Sequence, residues 1–159
     1  GKNCMVLEIS ATPYIFTFKL WDWGRLGLDG RPRPVHIEHG RHVIQWDRTT
    51  QWVKENLLNH YETIHEEAGY EEIRTGLHER EFIETRRYKL SVPVSCDCGD
   101  SVSMCNVVDG AGVLVSSPAD AFEPFEAHYA ETFIIPAGVK EFTLSPLAGE
   151  CMVVRASIR

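Results

Sequence analysis

The segment Trp21-Asp-Trp-Gly-Arg25, entered from Lys19, sets charged side chains among two indoles around a glycine. A loop this rich in aromatics is held by packing, and its charges are then left to point at something. What a fixed cation does best is hold an anion or a developing oxyanion. The plainer alternative makes Trp21 and Trp23 core residues and pairs Arg25 with Asp22 or Asp29. Three other groupings have chemistry-bearing types. His36 and His39 are three apart, which on a helix is one face, but no third metal ligand accompanies them and such pairs also serve structure. Glu66 and Glu67 are adjacent, and adjacent side chains do not face each other on a helix or a strand. Cys96-Asp-Cys98 with Cys105 has a spacing found in zinc sites yet lacks a fourth partner; three buried strand cysteines are the alternative.

The elements that must position these residues follow from periodicity. Tyr14, Phe16 and Phe18 alternate with Ile15, Thr17 and Lys19, which predicts a strand closing on the face that Thr17 shares with Lys19. Asp29-Gly30 is a turn signal, and Arg31-Pro-Arg-Pro34 an extended connector. Val35 to Trp46 reads as a helix that Gly40 divides, and Arg48 to Leu58 as a second, with Trp52, Val53, Leu57 and Leu58 on one stripe and Asp47 as its N-cap. His60 to Arg80 is acidic and irregular, a linker or surface hairpin. From Phe82 the pattern is all β: strands over 82–90, 102–108, 112–116, 131–138, 141–145 and 150–158, separated by Gly and Pro, predict a sandwich or barrel.

Composition restricts the function classes. The 159 residues are one domain's worth, with 43% hydrophobic and 25% charged residues as in globular proteins. A net charge of -7 and no basic run make nucleic acid and anionic membrane poor partners. No apolar stretch approaches the roughly 20 residues of a membrane-spanning helix, and no signal peptide opens the chain. The five cysteines read as reduced thiols of a cytoplasmic protein.

Leu7-Glu-Ile-Ser10, Phe18-Lys-Leu-Trp-Asp-Trp-Gly-Arg25 and Leu28-Asp-Gly-Arg-Pro-Arg-Pro-Val-His-Ile-Glu38 together resemble the type I mannose-6-phosphate isomerases. Members of that family run a strand into an aromatic-Asp-aromatic-Gly-Arg turn, then through Leu-Asp-Gly-x-Pro-Arg into a His-Ile-Glu helix. The match is specific over about the first forty-five residues and looser from Phe82 onward. It implies a cupin: a mainly β chain of antiparallel jelly-roll type, with one or two short helices near the N-terminal third. It also implies zinc in the parent protein. Asn3 falls where the cupin metal motif ends, so the zinc ligands are expected upstream of Gly1 and no metal is expected on this chain alone. The divisions expected are 1–30 as the tail of the catalytic barrel, 31–60 as a helical connector, 61–81 as an acidic linker and 82–159 as a second, metal-free jelly roll. In that second unit Pro136-Ala-Gly138 keeps the cupin spacing, but Glu141 stands where a metal cupin has histidine.

The activity implied is aldose–ketose isomerisation of a sugar phosphate, mannose 6-phosphate to fructose 6-phosphate. It moves a proton between C1 and C2 through an enediolate and needs a base, a cation for the oxyanion and a phosphate anchor. The resemblance places Lys19 where the family has arginine and Ile15 where it has aspartate. Lys19 keeps the charge but loses the bidentate fork. Lys19 is the expected substrate-facing cation, Arg25 a cation of the pocket rim, and Glu8 a proton-transfer group, with Ser10 and Thr17 binding substrate. As alternatives, Glu8 and Lys19 are strand-edge charges, and the chain is a non-catalytic carbohydrate-binding or oligomerisation module. Exposed strand edges would allow a homodimer.

Overall fold

A computed structural model describes residues 4–10, 18–75 and 82–159. The chain divides into two compact units, Gly1–Leu58 and Asn59–Arg159, and each is taken by itself.

The second unit is a two-sheet β structure. Its strands are β1 (Glu62–Glu67), β2 (Tyr70–Arg74), β3 (Ile83–Leu90), β4 (Val94–Asp97), β5 (Ser103–Asp109), β6 (Gly112–Ser116), β7 (Phe125–His128), β8 (Thr132–Ile135), β9 (Glu141–Pro146) and β10 (Cys151–Ile158). They form a six-stranded sheet in the order β1-β2-β3-β10-β5-β8 and a four-stranded sheet in the order β4-β9-β6-β7. Every pairing is antiparallel. The jelly-roll expectation and six of its strands stand within a few residues of where periodicity puts them. The period of two is visible in the burial: Phe133 and Ile135 point inward from β8, Val94 and Cys96 from β4, Phe142 and Leu144 from β9. These join Leu90, Cys105, Val107, Val113, Val115, Cys151 and Val153 in one core drawn from both sheets. Asp109-Gly110 makes the turn between β5 and β6, which cross from one sheet to the other.

Two strands come from the acidic stretch expected as a linker or surface hairpin. Ala68 and Gly69 close a two-residue turn between β1 and β2, with Gly69 at φ +86°, a backbone region that favours glycine. The hairpin continues the large sheet through β2 against β3. Charge does here what alternating apolar residues do elsewhere. Arg86 holds Glu72 at 2.6 Å, Arg74 holds Glu62 at 2.7 Å and Glu84 at 3.1 Å, and the Tyr70 hydroxyl donates to Glu72 at 2.6 Å. The remaining strands that periodicity missed, β4 and β7, have four residues each.

In the first unit the helices are shorter than the pattern predicts. The first, α1, spans Ile37–Gly40 and not Val35 to Trp46; the second, α2, spans Thr50–Asn56. Glycine at 40 and the β-branched Val43 and Ile44 weaken a longer helix. Gly40 is there for space: a Cβ at that position would lie 2.6 Å from Leu20 Cδ2. The N-cap of α2 is Thr49, whose hydroxyl accepts from the Trp52 amide at 3.5 Å, and not Asp47. Of the expected strand over 14–19, residues 14–17 lie outside the described residues, and Phe18 and Lys19 are in no strand.

Candidate functional site

Asp22 organises the charged turn. Arg25 N–H donates to the Asp22 carbonyl at 3.0 Å across Trp23 and Gly24, both at positive φ (+49° and +68°). That double left-handed pair defines a type I′ turn, and tryptophan is an unusual residue to hold it. The chain then closes a second loop. Leu26 bridges Pro32, Arg33 N–H donates to the Arg25 carbonyl at 3.0 Å, and Asp29 Oδ1 accepts from Arg31 N–H at 3.1 Å. The Arg-Pro-Arg-Pro segment is thus the return limb of this loop.

The return limb delivers Arg33. Its Nε and Nη2 bind the Asp22 carboxylate at 2.6 and 2.5 Å, a fork-to-fork pair of the strong, directional kind. Asp22 is 6% exposed, and the Arg33 hydrogen bond holds its carboxyl below the usual carboxylate range. The Lys19 ammonium lies 3.6 Å from the same carboxylate and is partly exposed. The sequence offered, as an alternative, a pairing of Arg25 with Asp22 or Asp29. The structure pairs Asp22 with Arg33 instead, a residue read only as part of an extended connector. Arg25 is exposed, with its guanidinium carbon 5.6 Å from the centre of the Trp23 ring. The core alternative for the tryptophans fails, since Trp21 and Trp23 are 69% and 75% exposed.

The other expected site residues are not brought to this cluster. Glu8 and Ser10 are exposed, and no ion pair or hydrogen bond joins either to Lys19 or Asp22. Thr17 lies outside the described residues. His36 accepts the Lys19 N–H on Nδ1 at 3.2 Å and returns its own N–H to the Lys19 carbonyl at 2.7 Å. His39 stacks on Phe18 with ring centres 5.9 Å apart. The pair thus fixes the chain around Lys19. Cys96, Cys98 and Cys105 are buried, and burial pushes the Cys96 thiol up to about 12. Glu141 accepts the Ser95 hydroxyl. Among the described residues, no group of three or more His, Cys, Asp and Glu side chains could hold a metal ion.

The architecture is that of a cupin-type antiparallel jelly roll. No family profile matches the chain. It is similar to mannose-6-phosphate isomerase ManA of Bacillus subtilis, 24% identical over 153 residues, which covers 96% of this chain and 44% of that protein. The crystal structure of the mannose 6-phosphate isomerase from Bacillus subtilis superposes with a TM-score of 0.61 at 16% identity, over 86% of this chain and 38% of that one. HutD from Pseudomonas fluorescens SBW25 shares the fold at a TM-score of 0.52 and 10% identity, over 62% and 55% of the two chains. Vicilin from Corylus avellana does so at 0.52 and 14%, over 62% and 31%. The resemblance read from the sequence is thereby met. The chain spans less than half the length of the curated relative it matches.

Proposed function

We propose that this chain is the C-terminal part of a sugar-phosphate aldose–ketose isomerase, converting mannose 6-phosphate to fructose 6-phosphate. The observation that carries the reading is a match to the isomerase over 96% of the chain. The charged turn supports it. Arg33 fixes Asp22, and Asp22 leans on Lys19 from 3.6 Å, long enough to leave ammonium donors for a substrate oxygen. Lys19 then acts as a point charge toward a phosphate or an enediolate oxygen. Arg25 stands at the rim over Trp23. Glu8 transfers a proton, and Ser10 and Thr17 contact the sugar.

Among the described residues no donor cluster suits zinc; in this reading the zinc of the parent protein would be held by ligands upstream of Gly1. The exposed Trp21, Trp23, Leu26, Leu28 and Trp46 support the idea that the first unit packs against further protein. The reading places the protein in the cytoplasm, with a sugar phosphate as partner and neither nucleic acid nor membrane. Among the described residues no helix is long and apolar enough to cross a membrane.

A second reading rests on Lys19 and Ile15 replacing the arginine and aspartate that the family resemblance leads one to expect. It makes the chain a non-catalytic carbohydrate-binding or dimerising module. Zinc content and mannose 6-phosphate isomerase activity, measured on this chain and on the protein extended upstream, separate the two. Turnover and about one zinc in the extended protein alone uphold the isomerase. A metal-free, inactive extended protein overturns it in favour of the module.

A further inference from the structure

Arg155, on β10 of the second unit, is 7% exposed and has no carboxylate within ion-pairing distance among the described residues. Its Nε donates to Ser103 Oγ at 2.9 Å, and its Nη1 to the Asp97 carbonyl at 2.8 Å and to the Tyr88 hydroxyl at 3.3 Å. The guanidinium carbon sits 6.0 Å from the centre of the Phe142 ring. All these partners are neutral. The nearby thiols of Cys96, Cys98 and Cys105 add no charge, because burial raises each of them. A buried cation served only by neutral acceptors keeps an unmet demand for a counter-ion.

The space for one is present. Arg155 lines a pocket of about 360 Å³ together with Cys98, Ser101, Ser157, Arg159 and Glu84. That volume is at the small end of the range for ligand sites, roughly 300–1,000 Å³. Among the described residues Nη2 has no acceptor, and it is not among the sealed, unsatisfied polar atoms, so it keeps access to solvent. The acids around the pocket are already engaged. Glu84 binds Arg86, Arg74 at 3.1 Å and Arg159 at 3.9 Å, and Asp100 binds Lys140 at 2.5 Å. The Asp97 carboxylate accepts the Gly99 N–H at 2.6 Å. Of the wall's three arginines, Arg155 is the one without an ion pair among the described residues.

We propose that this pocket binds a small hydroxylated oxyanion, a carboxylate or phosphate monoester on a few-carbon skeleton, with its charge on Arg155 Nη2. The hydroxyls meet Ser157 and the pocket acids; the other cations of the wall, Arg86 and Arg159, are each paired with Glu84. This inference does not depend on the isomerase reading, since every residue it uses lies in the second unit.

The test is an amide NMR titration of the intact chain with inorganic phosphate and, separately, with glycerate, at constant ionic strength against chloride. Saturable shifts confined to residues 98–101 and 157–159 are expected with at least one of the two, and the responding anion identifies the ligand's acid group. Arg155→Met, which keeps the side chain's length without its charge, weakens binding by about tenfold or more. Should Arg155→Met fail to fold, Ser157→Phe keeps the cation and fills the pocket, and it abolishes the same shifts. Absence of saturable shifts with both anions overturns the proposal, as does binding that survives Ser157→Phe. Either result would mean that Ser103, Tyr88 and Asp97 hold Arg155 for the fold alone.

Discussion

Asp22 is held by a guanidinium that the sequence hides inside a proline-rich connector. An aspartate followed three residues later by an arginine invites a local pairing, and nothing in Arg31-Pro-Arg-Pro34 signals that the second arginine turns back eleven residues. The return needs the Leu26–Pro32 bridge, a tertiary feature with no periodicity of its own. The Asp22 carboxyl lies below its ordinary value in the folded chain because Arg33 binds the charged form. In the unfolded chain it returns to about 3.9. Linkage therefore makes this pair stabilising at neutral pH, with the contribution lost as pH falls through the lowered folded value. Trp21 and Trp23 flank the aspartate and report on it. Their fluorescence is expected to be flat from neutral pH down to about 4 and to change below it, and the change is absent in Asp22→Asn. A transition that persists in that variant would remove Asp22 as its cause.

Elements differ in how plainly they can be read. Six of the eight strands from Phe82 onward were legible because one face of each is apolar and their turns carry Gly or Pro; the four-residue β4 and β7 were not. The β1–β2 hairpin was read only as an alternative to a linker, with its strands unplaced, since Glu72 is buried by pairing with Arg86 and Tyr70, where a periodicity reading looks for Val or Ile. Its signal was the Ala68-Gly69 turn between two runs of equal character. The β5–β6 turn gives the clearest prediction at this scale. Gly110 sits at φ +85°, and a Cβ there would meet the Glu150 carbonyl at 2.6 Å and Cys151 Cα at 2.7 Å. Both obstacles are backbone and cannot swing away. Gly110→Ala is expected to lower the unfolding free energy by about 1–3 kcal/mol from backbone strain alone, read as a reduced urea midpoint at an unchanged slope. A midpoint equal to that of the parent chain would show that β10 yields at this corner.

At the scale of the whole molecule, the cupin architecture was readable, and the division of roles along the chain was less so. Residues up to Leu58 bury few of their own side chains, Asp22 and Gly40 being the buried ones among those described. Apolar patterning is therefore a poor guide there, and the family resemblance did more than periodicity to locate Lys19. The second unit is the reverse, with a core that reads directly from alternation. The thiols follow the same contrast. Four of the five, Cys96, Cys98, Cys105 and Cys151, are buried in the second unit, and Cys4 is exposed in the first. Burial raises all four buried thiols, Cys151 to about 11, so few are thiolate at pH 8. A disulfide-exchange dye at that pH should register one of the five promptly and the other four only as the jelly roll opens. Rapid reaction of two or more would contradict the burial described. The unaltered chain thus comes with its own gauge. A label on Cys4 marks the first unit without mutagenesis, while the slow uptake of dye by the remaining thiols times each opening of the second.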